Sequence, residues 1–152
     1  MNIVLETDKD RSAENYTINR LRKPGTTVYR FPKFAIADYL LCRDGKMICN
    51  IELKVRKETM TTVQGYGGLM IKHRKLTELC DLQRKTSVPT YLVFAFQNGT
   101  GHILYLEIPD TNTYDAHDPP RRRNFRDLAC DQEPVTYLDW NHLTIIQTPE
   151  QP

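Results

Sequence analysis

Glu52-Leu53-Lys54 places a carboxylate and an ammonium two positions apart inside the apolar run Ile51 to Val55. On a strand, side chains alternate. Glu52 and Lys54 then share one face, their backbones about 6.5–7 Å apart, and Ile51, Leu53 and Val55 share the other. The apolar set belongs against a core, and the charged pair projects together. A carboxylate beside an ammonium is the start of a metal site with an adjacent proton-handling group. A metal needs more than one carboxylate. Asp38 offers the second, because it sits in an apolar run where a lone carboxylate is costly unless it has a partner. Hard oxygen ligands favour Mg²⁺ or Mn²⁺ over zinc. Phosphodiester hydrolysis fits such a set: it needs charge neutralised on an anionic transition state and a hydroxide generated near neutral pH.

Whether Asp38 and Glu52 meet depends on a turn. Phe34 to Cys42 and Met47 to Val55 are two β-prone runs flanking Arg43-Asp44-Gly45, the pattern of a hairpin. A strict two-residue Asp44-Gly45 turn pairs Asp38 with Ile51 and turns it away from Glu52. A three-residue loop, with Gly45 left-handed in a bulge, pairs Cys42 with Lys46 and Asp38 with Asn50. Asp38 and Glu52 then become diagonal neighbours able to grip one ion. The metal site requires the bulged turn.

The elements that must position these residues follow from periodicity and breakers. A helix is predicted from Asp8 or Asp10 to Leu21, acidic at its start, basic at its end and stopped by Pro24-Gly25. Thr26 to Tyr29 reads as a short strand. Val63 to Lys85 carries apolar residues in steps of three and four, the mark of one long amphipathic helix with Tyr66 and His73 in the core. Thr90 to Phe96 is an apolar strand covered on both faces. His102 to Ile108 is the next strand, Pro109 to Arg126 a long loop, and Pro134 to Ile146 one or two terminal strands. The order α-β-β-β-α-β-β plus a tail predicts an α/β (α+β) mixed sheet with helices packed on it.

Asp38, the hairpin, Glu52-Leu53-Lys54, the long helix and the apolar strand together resemble the PD-(D/E)XK nuclease superfamily over roughly residues 10–108, with Ala37 where the motif has proline. The fold implied is a restriction-endonuclease-like core with extra C-terminal strands. Small size and helix-to-aspartate spacing are most similar to archaeal and viral Holliday junction resolvases; small homing endonucleases are also similar. The resemblance implies that Asp38, Glu52 and the Leu53 carbonyl hold Mg²⁺ (or Mn²⁺) and that Lys54 handles the attacking water or the phosphate. It implies that Glu14, with Glu6 as rival, is an accessory acid and that Gln64 lies near the scissile phosphate. The activity expected is a metal-dependent endonuclease acting on duplex or branched DNA as a homodimer or higher homo-oligomer. A site-specific homing or restriction-type enzyme is one alternative; a non-catalytic nucleic-acid-binding subunit of the same fold is another.

Bulk properties set the remaining bounds. At 152 residues the chain has one domain's length, with a core of about 10–108 and an extension over 109–152. Hydrophobic residues make up 39% and charged residues 26%, which excludes a disordered chain. With 21 basic against 19 acidic residues, any nucleic-acid affinity must be local. The basic clusters Arg56-Lys57, Lys72 with Lys75, and Arg121-Arg122-Arg123 are the candidate DNA contacts. Cys42, Cys49, Cys80 and Cys130 lack C-x-x-C spacing, which argues against a zinc site and for reduced thiols. No stretch approaches the ~20 apolar residues of a membrane span, and the N-terminal apolar run is too short for a signal peptide. A cytoplasmic protein is expected.

Overall fold

A computed structural model describes residues 8–120 and 133–149, with residues 8–10 described by backbone alone. Helix α1 (Asp8–Leu21) is followed by strands β1 (Thr26–Arg30), β2 (Tyr39–Arg43) and β3 (Lys46–Val55). Next come a short helix α2 (Met60–Gln64), strand β4 (Leu69–Lys72) and helix α3 (His73–Thr86). Strands β5 (Thr90–Ala95), β6 (Ile103–Glu107), β7 (Val135–Leu138) and β8 (Thr144–Gln147) complete the described chain.

Six strands form one mixed sheet in the order β1-β2-β3-β5-β6-β8. The β3–β5 pair is parallel, with α3 in the crossover, and the other neighbours are antiparallel. Alternation divides the core in two. Cys49, Ile51, Leu53, Val93, Ala95 and Ile103 pack with Ile18 of α1. Leu92, Phe94, Leu104 and Leu106 pack with Leu76, Leu79 and Cys80 of α3 on the opposite face. Strand β3 is thus apolar toward α1 and presents Asn50, Glu52 and Lys54 toward α3. The α/β mixed sheet expected from the sequence is the fold observed.

Two elements differ from expectation. The predicted helix Val63–Lys85 is broken: α2 ends at Gln64, Gly65 to Gly68 turn, and β4 pairs with β7 as a separate two-stranded ribbon before α3 begins. Leu69 and Met70 fit the helical steps of three and four, but the buried pair is Leu69 and Ile71, alternate residues of a strand. Gly68 explains why the chain closes there. A Cβ on it would lie 2.8 Å from the Leu138 carbonyl oxygen, so β7 approaches at a distance only glycine permits. The second difference is the run Phe34 to Cys42, where the strand begins only at Tyr39 and the preceding residues form turns.

The hairpin β2–β3 does not form the three-residue bulged turn that the metal site was expected to require. Its turn is the strict two-residue one: Arg43 pairs with Lys46, and Asp44 (φ 51°) and Gly45 (φ 74°) are both left-handed. The one-residue shift comes further along the hairpin. Cys42 pairs with Met47 but Leu41 with Cys49, which leaves Ile48 as the extra residue of a bulge. From there Leu40 faces Asn50 and Tyr39 faces Ile51. The paired register ends at Tyr39, and Asp38 precedes it in a bend, its amide also reaching the Ile51 carbonyl.

Candidate active site

Asp38 sits where β2 and β3 part. Its amide donates to the Ile51 carbonyl (2.9 Å) and its carbonyl accepts from the Phe31 amide (2.8 Å). Its Oδ2 accepts from the Leu53 amide at 2.7 Å. The carboxylate therefore stands in for the backbone acceptor that β2, had it continued, would have offered. Along a strand the N–H and C=O of one residue leave on the same edge. The Leu53 carbonyl thus points to the side on which Asp38 lies.

Glu52 faces α3 and is 3% exposed. Lys54 Nζ lies 3.0 Å from its Oε1. Its Oε2 is buried without a hydrogen bond, and Lys75 Nζ of α3 stands 3.7 Å away. Lys75 also donates to the Ile36 carbonyl at 2.9 Å, which fastens the segment leading to Asp38 onto α3. Burial pushes the Glu52 carboxyl above its ordinary range and Asp38 adds to the rise, while Lys54 and Lys75 draw it down. A buried acid with one unbonded oxygen, beside a second acid, fits a divalent cation. Among the described residues no group of three or more His, Cys, Asp or Glu side chains could hold a metal. The protein donors on offer are then two carboxylates and the Leu53 carbonyl, a sparse oxygen set of the kind Mg²⁺ completes with water.

Glu14 arrives from α1, whose core packing is on the other face of the sheet. Its Oε2 accepts from Arg30 Nη2 and from the Tyr39 hydroxyl, each at 3.1 Å. Tyr39 follows Asp38 directly, and its phenol is raised by burial, then by Glu14, and further by Asp38. Glu14 is therefore tied to the first residue of β2, directly after Asp38. Glu6, its rival, lies outside the described residues. Gln64 is exposed at the end of α2.

Beside Lys54 opens a cleft of about 390 Å³ that takes in Lys54, Arg56, Lys72, Arg74 and Lys75 against Glu78 and Glu133. Arg56, Lys72 and Lys75, expected at a DNA surface, are thus brought together. Gln64 and Lys57 do not line the cleft, and Lys57 is exposed one residue beyond Arg56. Arg121, Arg122 and Arg123 lie outside the described residues. Two features were not legible in the sequence. Arg74 belongs to a visible basic cluster, but a helix running from Val63 gave no reason to aim it here. Lys75, expected on phosphate, lines the cleft and also stands 3.7 Å from Glu52, and no sequence signal pairs the two. Two further expectations change. Tyr66, expected in the core, is 73% exposed on the turn after α2. His73 opens α3 and is held by Thr136 Oγ1 at 2.8 Å.

Sheet order, crossover and acidic fork define a restriction-endonuclease-like fold. Among solved structures it is similar to Hjc, a Holliday junction resolvase of Archaeoglobus fulgidus, an archaeal hyperthermophile. The TM-score is 0.52 at 15% identity, over 91% of this chain and 93% of that one. Residues 2–146 match the family described as "Phage putative PDDEXK endonuclease". The chain belongs to that family, and so to the PD-(D/E)XK nucleases. No curated protein sequence matches it.

Proposed function

We propose that the protein is a Mg²⁺- or Mn²⁺-dependent DNA endonuclease. One nuclease domain carries the site, with Asp38, Glu52 and the Leu53 carbonyl holding the metal. The observation that carries this reading is that the Asp38 carboxylate accepts from the Leu53 amide, next to Glu52 in the chain, while Glu52 Oε2 is buried and unbonded. A divalent ion bound there would neutralise the scissile phosphate and acidify a water. The chain's own residues do the rest. Lys54, 3.0 Å from Glu52, orients the attacking water or meets the charge on the phosphorane. Lys75 holds the Asp38 segment against α3. Glu14 acts through Tyr39 on the placement of Asp38. Arg56, Lys72 and Arg74 receive the flanking backbone.

Branched DNA is the favoured substrate, since the similar structure is a Holliday junction resolvase. Cutting two strands takes two sites and one small domain supplies one, so a homodimer is proposed. Linear duplex, supercoiled plasmid, a four-way junction and RNA, each with Mg²⁺ and with EDTA, test substrate and metal together. Lys54→Ala should lower cleavage by more than about a hundredfold and leave DNA bound. Metal-independent cleavage, or full activity of that variant, contradicts the mechanism. A wild-type chain that binds DNA and never cuts it would be a non-catalytic subunit instead.

A further inference from the structure

A second cavity, of about 420 Å³, continues from the cleft beside Lys54. The two share Arg56, Met70 and Pro120, so they form one groove with the half-buried Arg56 at the junction. The far part is different in kind. Its walls include Tyr66 and Tyr137, which are 73% and 44% exposed, over an apolar base of Val63 and Leu69, with Glu58 at the side. The turn that carries Tyr66 is not a loose tip. Tyr66 N–H donates to the Val63 carbonyl, Gly68 packs against β7, and Trp140 Nε1 donates to the Gly67 carbonyl. The fold therefore fixes two solvent-facing aromatics next to a cation, beyond the reacting centre.

We propose that this pocket is a subsite for one unpaired nucleotide of the DNA substrate, its base against Tyr66 and Tyr137 and its phosphate on Arg56. The inference rests on the nuclease reading and names the feature of the DNA that the groove selects. A base inside a duplex has both faces covered by its neighbours. Exposed tyrosines gain stacking energy only from a base that has left the stack. Charge complementarity points to nucleic acid over a protein partner, because the pocket opens through Arg56 into a cleft with, among the described residues, five cations and two carboxylates. The Glu58 carboxylate only accepts hydrogen bonds, which suits the exocyclic amine of an adenine or cytosine. Such a subsite favours DNA at a branch, gap or flap over uninterrupted duplex.

The test uses the full chain in EDTA, so that binding is read without cleavage. Fluorescence anisotropy compares a labelled duplex with the same duplex interrupted by a short single-stranded gap. A second gapped probe carries 2-aminopurine in the gap. Wild type should prefer the gapped DNA on the order of tenfold and quench the 2-aminopurine. In Tyr66→Ala/Tyr137→Ala the affinity ratio should fall to near one and the quench should disappear. Tyr66→Phe, which keeps the ring, should keep both. Equal wild-type affinity for the two DNAs, or a wild-type ratio persisting in the double variant, overturns the subsite. The wild-type measurement needs no variant to fold. Failure of the nuclease reading is seen separately, as absence of metal-dependent cleavage.

Discussion

At the scale of single residues, Glu52 carries the most informative imbalance. Two lysines attend it, yet its Oε2 has no hydrogen bond and the acid remains raised by burial. A carboxyl that titrates higher in the folded than in the unfolded chain keeps protons the unfolded chain has lost. Stability then falls as pH rises from the unfolded carboxylate range through the folded value. The metal-free melting temperature should therefore decline over that interval, and decline less in Glu52→Gln. A cation that binds the ionised site reverses the penalty. Mg²⁺ or Mn²⁺ at neutral pH should raise the melting temperature of wild type and not of Glu52→Gln, read by scanning fluorimetry. An unchanged metal response in the variant would remove Glu52 from the metal site. Much of this site was legible because Glu52 and Lys54 need only one strand to share a face. Lys75 was not legible, because its approach depends on where α3 starts.

Among the elements, the β2–β3 hairpin separates what local sequence says from what tertiary packing decides. Asp44-Gly45 announces a two-residue turn, and the turn is formed. By itself that register would turn Asp38 away from Glu52. The bulge at Ile48 shifts the pairing from Leu41 to Tyr39 by one residue, and nothing about Ile48 marks it, since a bulge reflects which face must be buried. Cys49, Ile51 and Tyr39 all belong to the α1 side, and only the shifted register puts them there together. The broken helix has a similar origin. Apolar steps of three and four suit α3, but β4 is drawn into a strand by pairing with β7, more than sixty residues away. Another element, the link between β5 and β6, depends on a glycine. Gly99 (φ +96°) lies against α1, where a Cβ would meet Thr17 Oγ1 and stand 3.2 Å from the Ala13 carbonyl, and Arg20 caps its carbonyl at 2.6 Å. Gly99→Ala should cost about 2–4 kcal/mol, combining left-handed strain with overpacking. Gly25→Ala, equally left-handed at φ +83° but in open space, should cost about 1–2 kcal/mol. Urea unfolding of the two variants checks the difference, and equal midpoints would remove the packing of α1 on Gly99 as its cause.

Across the whole molecule, a near-neutral chain concentrates its cations where the chemistry lies. The net charge is +2, yet among the described residues five lysine and arginine side chains converge on the cleft from β3 and the residue after it, β4 and α3. The convergence could not be read from the sequence, because the clusters around residues 54–57 and 72–75 meet only once β3 and α3 pack face to face. Glu133 tempers the field by pairing with Lys72 (3.4 Å) and Arg74 (3.2 Å), while Arg56 lies at the meeting of the two cavities. Binding of duplex DNA in EDTA should then weaken steeply with salt, through release of counterions from the phosphates the cleft neutralises. Removing one phosphate contact lowers the slope of log affinity against log salt by about 0.9. Arg56→Ala should show that reduction. Lys46→Ala is the control: it lies at the opposite end of β3, roughly 26 Å from Lys54 by strand rise, and should leave the slope unchanged. If both variants flatten the slope alike, DNA is held by diffuse charge and not by this cleft. If Arg56→Ala alone does so, the groove beside the acidic fork is the path of the backbone.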